Sequence, residues 1–222
     1  IGSNLVDRLL ALQSKVIAIG RSRDKLCSTF RNYTNNPLFS CVEADVAHQF
    51  PALEAEADFF FHAAGPMEGD IIRQKPVSVI LPNIFGLVNC LEYLKKQQAR
   101  GGRKGRLAVF SSVTVYANAS GENQTFNEQQ TCAAEPLEAL VAPYSESKRM
   151  SEVIARAYWR QYGADVVMAR FSTVYGPTRN VPNTAFYEFL RNCLAGRDIT
   201  VNSPDAPRRD NLYVDDAVEG LL

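Results

Sequence analysis

The chain has 222 residues, of which 46% are hydrophobic and 22% charged, and its 24 basic residues balance 24 acidic ones. This length predicts one domain, or one domain and part of a second, with ordinary globular composition. The zero net charge gives no electrostatic footprint for nucleic acid or an anionic membrane, and no uninterrupted apolar run approaches the length of a membrane span.

Cysteine and histidine usage points to neither a disulfide framework nor a metal site. The five cysteines are odd in number and never form a CxxC pair, and neither His48 nor His62 stands at metal-ligand spacing from a cysteine. This pattern is typical of reduced thiols in a cytoplasmic protein. We therefore expect a cytoplasmic protein with no metal, no nucleic-acid partner and no membrane partner.

Apolar strands and helices alternate along most of the chain. An amphipathic helix is predicted around Leu5–Leu12, followed by strands and helices in turn. Strands are predicted at residues 15–20, 38–46, 57–65, 106–116 and 164–177, and further helices at 22–32, 76–98 and from 142 onward. This alternation indicates an α/β fold with a doubly wound parallel sheet, covered by helices on both faces.

The alternation is lost after Gly176. We predict a nucleotide-binding domain over residues 1–176 and the start of a smaller, substrate-facing lobe over 177–222. The polar segment 117–140 is either a lid on the substrate side or a plain surface loop.

The carboxyl ends of the predicted strands carry the informative residues, because ligands of doubly wound sheets bind at that edge. These ends are Gly20-Arg21, Asp45-Val46, Ala63-Ala64-Gly65, Ser111-Ser112 and Thr173-Val174. Four of the five carry small or hydrogen-bonding residues, as a flat cofactor lying across the sheet needs.

Tyr144 stands four residues before Lys148 at the start of a predicted helix, so both side chains lie on one helix face. The pair is either a solvated helix face or the acid/base pair of a dehydrogenase. The spacing alone does not decide between them.

Eight short motifs occur in an order that resembles the extended short-chain dehydrogenase/reductase family, which includes the sugar-nucleotide epimerases and dehydratases. They are "IG" at 1–2, "AD" at 44–45, "HAAG" at 62–65, "NIFG" at 83–86, "FSSVTVY" at 110–116, YxxxK at 144–148, "VYGP" at 174–177 and "RRDNLYVDDA" at 208–217. The resemblance runs over the whole chain and implies a Rossmann-like fold.

The resemblance implies that Ser112, Tyr144 and Lys148 are the catalytic residues. Tyr144 would take the proton of a sugar hydroxyl while hydride leaves the sugar carbon for NAD or NADP. A phenol has a pKa of about 10, and lowering it to about 7 takes roughly 4 kcal/mol of phenolate stabilisation. The charge of Lys148 would supply part of this, and Ser112 would hydrogen-bond the same substrate oxygen.

The resemblance also implies two sets of binding residues for the cofactor and for a nucleotide-diphosphate sugar. The cofactor set is Gly2, Arg21, Asp45, Val46, Ala63, Ala64, Gly65, Asn83, Tyr144, Lys148 and Val174. The substrate set is Ser112, Thr173, Asn183 and Arg209, of which Arg209 would pair with the diphosphate. Asp45 as a strand-end turn, Asn83 as a helix-interior polar residue and Arg209 as a surface arginine remain alternatives. A homodimer is compatible with the resemblance.

Four departures from the family pattern qualify this interpretation. Only Gly2 remains of the glycine-rich phosphate loop, and the first strand is missing. Either a complete enzyme has that strand before Ile1, which we favour, or the chain is a non-catalytic or cofactor-deficient Rossmann-like fragment. At the end of the second family strand, Gly20 replaces the acidic residue of NAD-preferring relatives and Arg21 follows. This leans toward NADP, with a plain basic loop as the alternative.

The third departure concerns the reaction. Family dehydratases and decarboxylases carry an acidic residue directly after the active-site Ser/Thr, whereas Val113 and Thr114 follow Ser112 here. This favours oxidation–reduction at one carbon, as in a 4-epimerase or a keto-sugar reductase, over a sugar-nucleotide dehydratase. Thr173 stands where many relatives have a substrate-binding Asn, so the sugar contact there departs from the family pattern.

Overall fold

The structure is a computed structural model that describes residues 1–53, 56–66, 69–116, 126–129, 134–179, 181–201 and 210–222. Its strands are Val16–Gly20 (β1), Phe39–Glu43 (β2), Phe59–His62 (β3), Arg106–Ser112 (β4), Asp165–Phe171 (β5), Thr173–Tyr175 (β6) and Asn211–Tyr213 (β7). Its α-helices are Gly2–Ala11 (α1), Arg23–Thr29 (α2), Gly69–Gln74 (α3), Pro76–Leu81 (α4), Leu87–Ala99 (α5), Ala142–Tyr162 (α6), Ala185–Leu194 (α7) and Val214–Glu219 (α8).

All strand pairs in the described residues are parallel, which confirms the predicted α/β class. β1 pairs with β2, β4 lies between β3 and β5, and β6 pairs with β7. Among the described residues no ladder joins β1 to β3. The doubly wound order places the first strand of the fold between these two, so the arrangement fits the missing first strand.

Four of the five predicted strands end earlier than the apolar pattern indicates, and for two of them the structure shows the cause. β4 stops at Ser112, whose hydroxyl accepts the backbone N–H of Thr114 at 3.2 Å and starts a 3₁₀ turn over Val113–Tyr116. The predicted strand 164–177 divides at Ser172 into β5, which pairs with β4, and β6, which pairs with β7. Side-chain hydrogen bonding and a change of partner strand therefore override the apolar pattern.

The predicted helix 76–98 is continuous but contains a π-turn at Pro82–Gly86 between α4 and α5. Pro82 has no N–H to donate to the preceding turn. The Asn83 side chain donates to the carbonyl of Val79 at 3.0 Å. Such π-turns are frequent at functional sites.

By length and composition alone, the 24-residue helix Pro76–Ala99 is apolar enough to cross a membrane. The expectation that no apolar segment approaches the length of a membrane span was therefore wrong for this helix. In the structure the helix buries Leu87, Leu91 and Leu94 in a core cluster with Leu107 of β4, as a core helix of a globular domain does.

A second cluster covers the other face of the sheet and joins α1 to α8. Leu5, Phe110 and Val218 are its buried members, and Arg8 pairs with Glu219 at 2.5 Å. Helices therefore pack on both faces of β4. The domain boundary at residue 176 stays a prediction. Helix α8 follows that boundary in the sequence but packs against α1, which precedes it.

Candidate active site

The structure brings the three predicted catalytic residues together at the carboxyl end of β4. Ser112 is the last residue of that strand, while Tyr144 and Lys148 lie in the first two turns of α6. The Ser112 hydroxyl is near enough to the Tyr144 phenol to act on its pKa as a hydrogen-bonding neighbour. Lys148 Nζ donates to the Phe110 carbonyl at 2.6 Å and lies 5.8 Å from the Tyr144 ring centroid.

Burial dominates the ionisation of this group. It lowers the pKa of Lys148 to about 8, because an ammonium loses its hydration there. Burial also raises the pKa of Tyr144, against the opposing effect of the hydrogen bond from Ser112. The protein groups by themselves therefore do not lower the pKa of Tyr144. The side chain is a protonated phenol that can donate its proton.

Asn83 connects the π-turn to the helix that carries Tyr144 and Lys148. It is 1% exposed, and its Nδ2 donates to Ser147 Oγ at 3.0 Å, beside Lys148. The Ser151 hydroxyl lies 3.0 Å from the Asn83 backbone carbonyl. Asn83 is therefore a helix-interior polar residue that also anchors α6, and its predicted contact with the cofactor stays a prediction.

Gly65, after β3, is required by its conformation and its neighbour. Its φ is +155°, and a Cβ there would lie 2.6 Å from Asn83 Oδ1. That buried oxygen has no hydrogen-bond partner among the described residues. At the end of β3 the Gly65 backbone thus lies close to the Asn83 side chain, whose Oδ1 is an acceptor without a partner among the described residues. Both features are expected beside a bound ligand.

The neighbourhood of β3 and α1 fits a dinucleotide. A Cβ on Gly2 would lie 3.9 Å from the Cβ of Ala63, so α1 begins beside the small residues 63–65. Ile1 provides no side-chain cap, which leaves the first N–H groups of the helix for a ligand's pyrophosphate. Gly2, Ala63, Ala64 and Gly65 would hold the cofactor that the resemblance implies.

His62 is a buried residue of this site, and sequence analysis predicted no functional role for it. It is 7% exposed, and its Nε2 lies 3.2 Å from the Pro82 carbonyl in the π-turn. Burial, and secondarily the charge of Lys148, lower its pKa to about 4. At neutral pH it is therefore a neutral imidazole that supports the π-turn.

Asp45, Val46 and Arg21 lie at the ends of neighbouring strands. Asp45 Oδ1 accepts a hydrogen bond from the Ala47 N–H at 3.0 Å. The carboxylate therefore forms the strand-end turn predicted as the alternative to cofactor binding. The Val46 carbonyl accepts from Asn89 at 2.8 Å. Arg21 is exposed after β1.

Of the predicted substrate residues other than Ser112, Thr173 begins β6 and Asn183 lies between β6 and α7. Thr173 and Val174 pair with β7, and Thr173 is exposed. Asn183 is exposed and its Oδ1 lies 3.5 Å from Arg191. Arg209 lies outside the described residues. Their contribution to a substrate site stays a prediction.

Comparison with known sequences identifies one family over the whole chain. The family model described as "NAD dependent epimerase/dehydratase family" matches residues 1–222. UDP-glucuronic acid decarboxylase 6 of Arabidopsis thaliana is 29% identical over the full chain, which spans 62% of that relative's length. UDP-glucuronic acid decarboxylase 1 of Xenopus tropicalis is 26% identical, and the chain spans 50% of it.

Solved structures show the same fold. A dTDP-glucose 4,6-dehydratase of Bacillus anthracis in complex with NAD has a TM-score of 0.78 at 22% identity, with 99% of this chain and 66% of that chain covered. A UDP-glucuronic acid 4-epimerase of Bacillus cereus in complex with UDP-glucuronic acid and NAD has a TM-score of 0.76 at 23% identity, with 100% and 68% covered. Since the family model spans every residue, the chain belongs to the NAD-dependent epimerase/dehydratase family.

Proposed function

We propose that the protein is an NAD(P)-dependent enzyme that oxidises or reduces one sugar carbon of a nucleotide-diphosphate sugar, as a 4-epimerase or a keto-sugar reductase. The observation that carries the proposal is the convergence of Ser112, Tyr144 and Lys148 at the carboxyl end of β4. Membership of a family whose named relatives are enzymes supports it.

The chemistry assigned to this chain is proton transfer and orientation. When bound, the nicotinamide accepts a hydride from the sugar carbon or returns one to it. Tyr144 exchanges the accompanying proton with the sugar oxygen, and Ser112 hydrogen-bonds both the phenol and that oxygen. The buried Lys148 ammonium favours the phenolate whenever Tyr144 has given up its proton.

The turn after Ser112 supports chemistry at a single carbon. Val113 is exposed, and the Thr114 hydroxyl is buried without a hydrogen-bond partner among the described residues. Neither side chain can act as the additional carboxylate acid or base that the resemblance assigns to dehydratases and decarboxylases. Glu152, on α6, is already paired with Arg170.

We propose NADP as the preferred cofactor. Gly20 ends β1 without a carboxylate, and a Cβ there would lie 3.1 Å from Leu26. The exposed guanidinium of Arg21 follows and suits a 2′-phosphate. The solved relatives carry NAD, so the proposal departs from them and is tested by comparing kcat/KM for the two cofactors.

For the substrate we propose a UDP-hexose or UDP-hexuronic acid, with UDP-glucuronic acid as the first to test. The named decarboxylases and the solved 4-epimerase carry this sugar nucleotide in their names. The full-length gene product is incubated with UDP-glucuronic acid and NADP or NAD, and separately with a 4-keto sugar nucleotide and NADPH or NADH, and products are identified by NMR. A 4-epimer, or a reduced sugar formed from a 4-keto substrate, supports the proposal.

A decarboxylase or dehydratase is the second candidate, favoured by the names of the relatives and of one solved structure. Release of carbon dioxide or formation of a 4-keto-6-deoxy sugar would establish it instead. A non-catalytic Rossmann-like protein is the third alternative, and no turnover together with no cofactor binding would establish that one. A cytoplasmic location and a homodimer are proposed with the main function, and cell fractionation and sedimentation test them.

A further inference from the structure

A partly buried ion pair lies directly behind the catalytic group. Arg170 of β5 donates from Nε and Nη2 to the two carboxylate oxygens of Glu152 on α6, at 2.8 and 2.6 Å. Their side chains are 22% and 11% exposed. A bidentate pair with this little exposure is geometrically restrictive, because either charge left alone would be poorly solvated.

The pair holds the end of β4 through the residue next to Ser112. The Ser111 hydroxyl donates to Glu152 Oε1 at 2.6 Å. Tyr144, Lys148 and Glu152 follow one another at four-residue steps on α6, so they share one helix face. Each contacts the end of β4: Tyr144 at Ser112, Lys148 at the Phe110 carbonyl and Glu152 at Ser111.

Arg170 also reaches the turn that follows Ser112. Its Nη1 donates to the Tyr116 hydroxyl at 2.7 Å and to the Glu128 carbonyl at 3.2 Å. Its guanidinium lies 4.8 Å from the Tyr116 ring centroid, and that ring stacks on Phe126. One guanidinium therefore connects β5, α6, the 3₁₀ turn and the segment 126–129.

We propose that Glu152 and Arg170 are positioning residues that set the alignment of Ser112 with Tyr144. The pair fixes the register between α6 and the end of β4, and it holds the turn that starts at Ser112. The inference rests on the proposed function for its kinetic effect. A displacement of about 1 Å at a reacting group can cost about 100-fold in rate, so loss of the pair lowers kcat while substrate binding changes little.

The test separates positioning from stability. Replacing both charges with apolar groups of similar size, Glu152→Leu with Arg170→Met, removes the network without leaving a lone charge, and such replacements are often neutral for folding. We expect a folded double variant with kcat lowered about 100-fold and KM within about 3-fold of wild type. A folded double variant with near wild-type kcat would overturn the proposal.

Arg106 provides a matched control, since it pairs with Asp165 across the opposite end of the same β4–β5 ladder. Arg106→Gln should leave kcat within about 2-fold, because an exposed pair contributes little. If the double variant does not fold, Ser111→Ala removes one hydrogen bond only, and an unchanged kcat there overturns the proposal.

Amide exchange keeps this test separate from the proposed function. In the folded double variant, or in Ser111→Ala, we expect faster exchange at residues 113–116 than in wild type or in Arg106→Gln, whether or not a substrate is turned over. Equal exchange in all variants would refute the positioning network. Absence of turnover by wild type together with faster exchange would count against the proposed function alone.

Discussion

Acidification should destabilise the protein through His62. Its pKa is about 4 in the folded state, against 6.5 for the ordinary imidazole. Between these pKa values His62 is protonated in the unfolded chain but not in the folded one. The free energy of unfolding therefore falls as pH falls through this window. The side chain is 7% exposed, so solvent screening is small.

The magnitude follows from the two pKa values. The full difference corresponds to about 3 kcal/mol at about 1.36 kcal/mol per pH unit, and about 2 kcal/mol of it is lost on going from pH 7 to about pH 5. Most carboxylates are still ionised at about pH 5. His62→Gln keeps a donor for the Pro82 carbonyl but does not titrate, so its stability should fall by about 2 kcal/mol less over the same change.

Urea unfolding at the two pH values, followed by the fluorescence of Trp159, the one tryptophan, measures both slopes. His48→Gln is the matched control, because the only other histidine has a side chain that is 83% exposed. That variant should follow wild type. If wild type and His62→Gln lost equal free energy of unfolding between the two pH values, the burial argument for His62 would be refuted.

Three further predictions concern Gly65, Gly20 and Lys148. Gly65→Ala should lower the free energy of unfolding by about 1–3 kcal/mol more than Gly163→Ala, measured by urea titration, because both glycines have positive φ but only Gly65 meets Asn83 Oδ1; equal losses would contradict the close contact. Gly20→Asp should shift the ratio of kcat/KM values from NADP toward NAD by about 10-fold or more, since a carboxylate repels the 2′-phosphate; an unchanged ratio would remove the basis for NADP. In NMR of ¹³C-methylated lysines, one resonance should titrate near pH 8 and be missing from Lys148→Met, because burial lowers that pKa; no such resonance would show that Lys148 is hydrated.

The alternation of apolar segments predicted the parallel α/β fold because strands and helices have different periods that local sequence carries. The π-turn and the division of a strand at Ser172 were not predictable in this way. Pro82 sits inside an otherwise regular apolar pattern, and the exchange of partner strands after β5 depends on Asn211–Tyr213, far along the chain.

Side chains of the candidate site could be predicted to lie together only where they belong to the same helix, because their spacing in the sequence then sets their positions in space. Tyr144 and Lys148 are one helical turn apart, whereas Glu152 and Arg170 meet across two elements, so only the fold reveals their pairing. Burial raises the pKa of Tyr144, and this effect is a property of the packed structure that local spacing does not carry.

Product analysis of the full-length gene product and its Tyr144→Phe variant tests the central claim most directly. Both are incubated with UDP-glucuronic acid and NADP or NAD, and with a 4-keto sugar nucleotide and NADPH or NADH, and followed by NMR. Removal of the phenol leaves no group at this position to exchange the sugar proton. We predict a 4-epimer or a reduced sugar from wild type, and turnover lowered by about 100-fold or more in the variant. Equal turnover by both proteins would contradict the account.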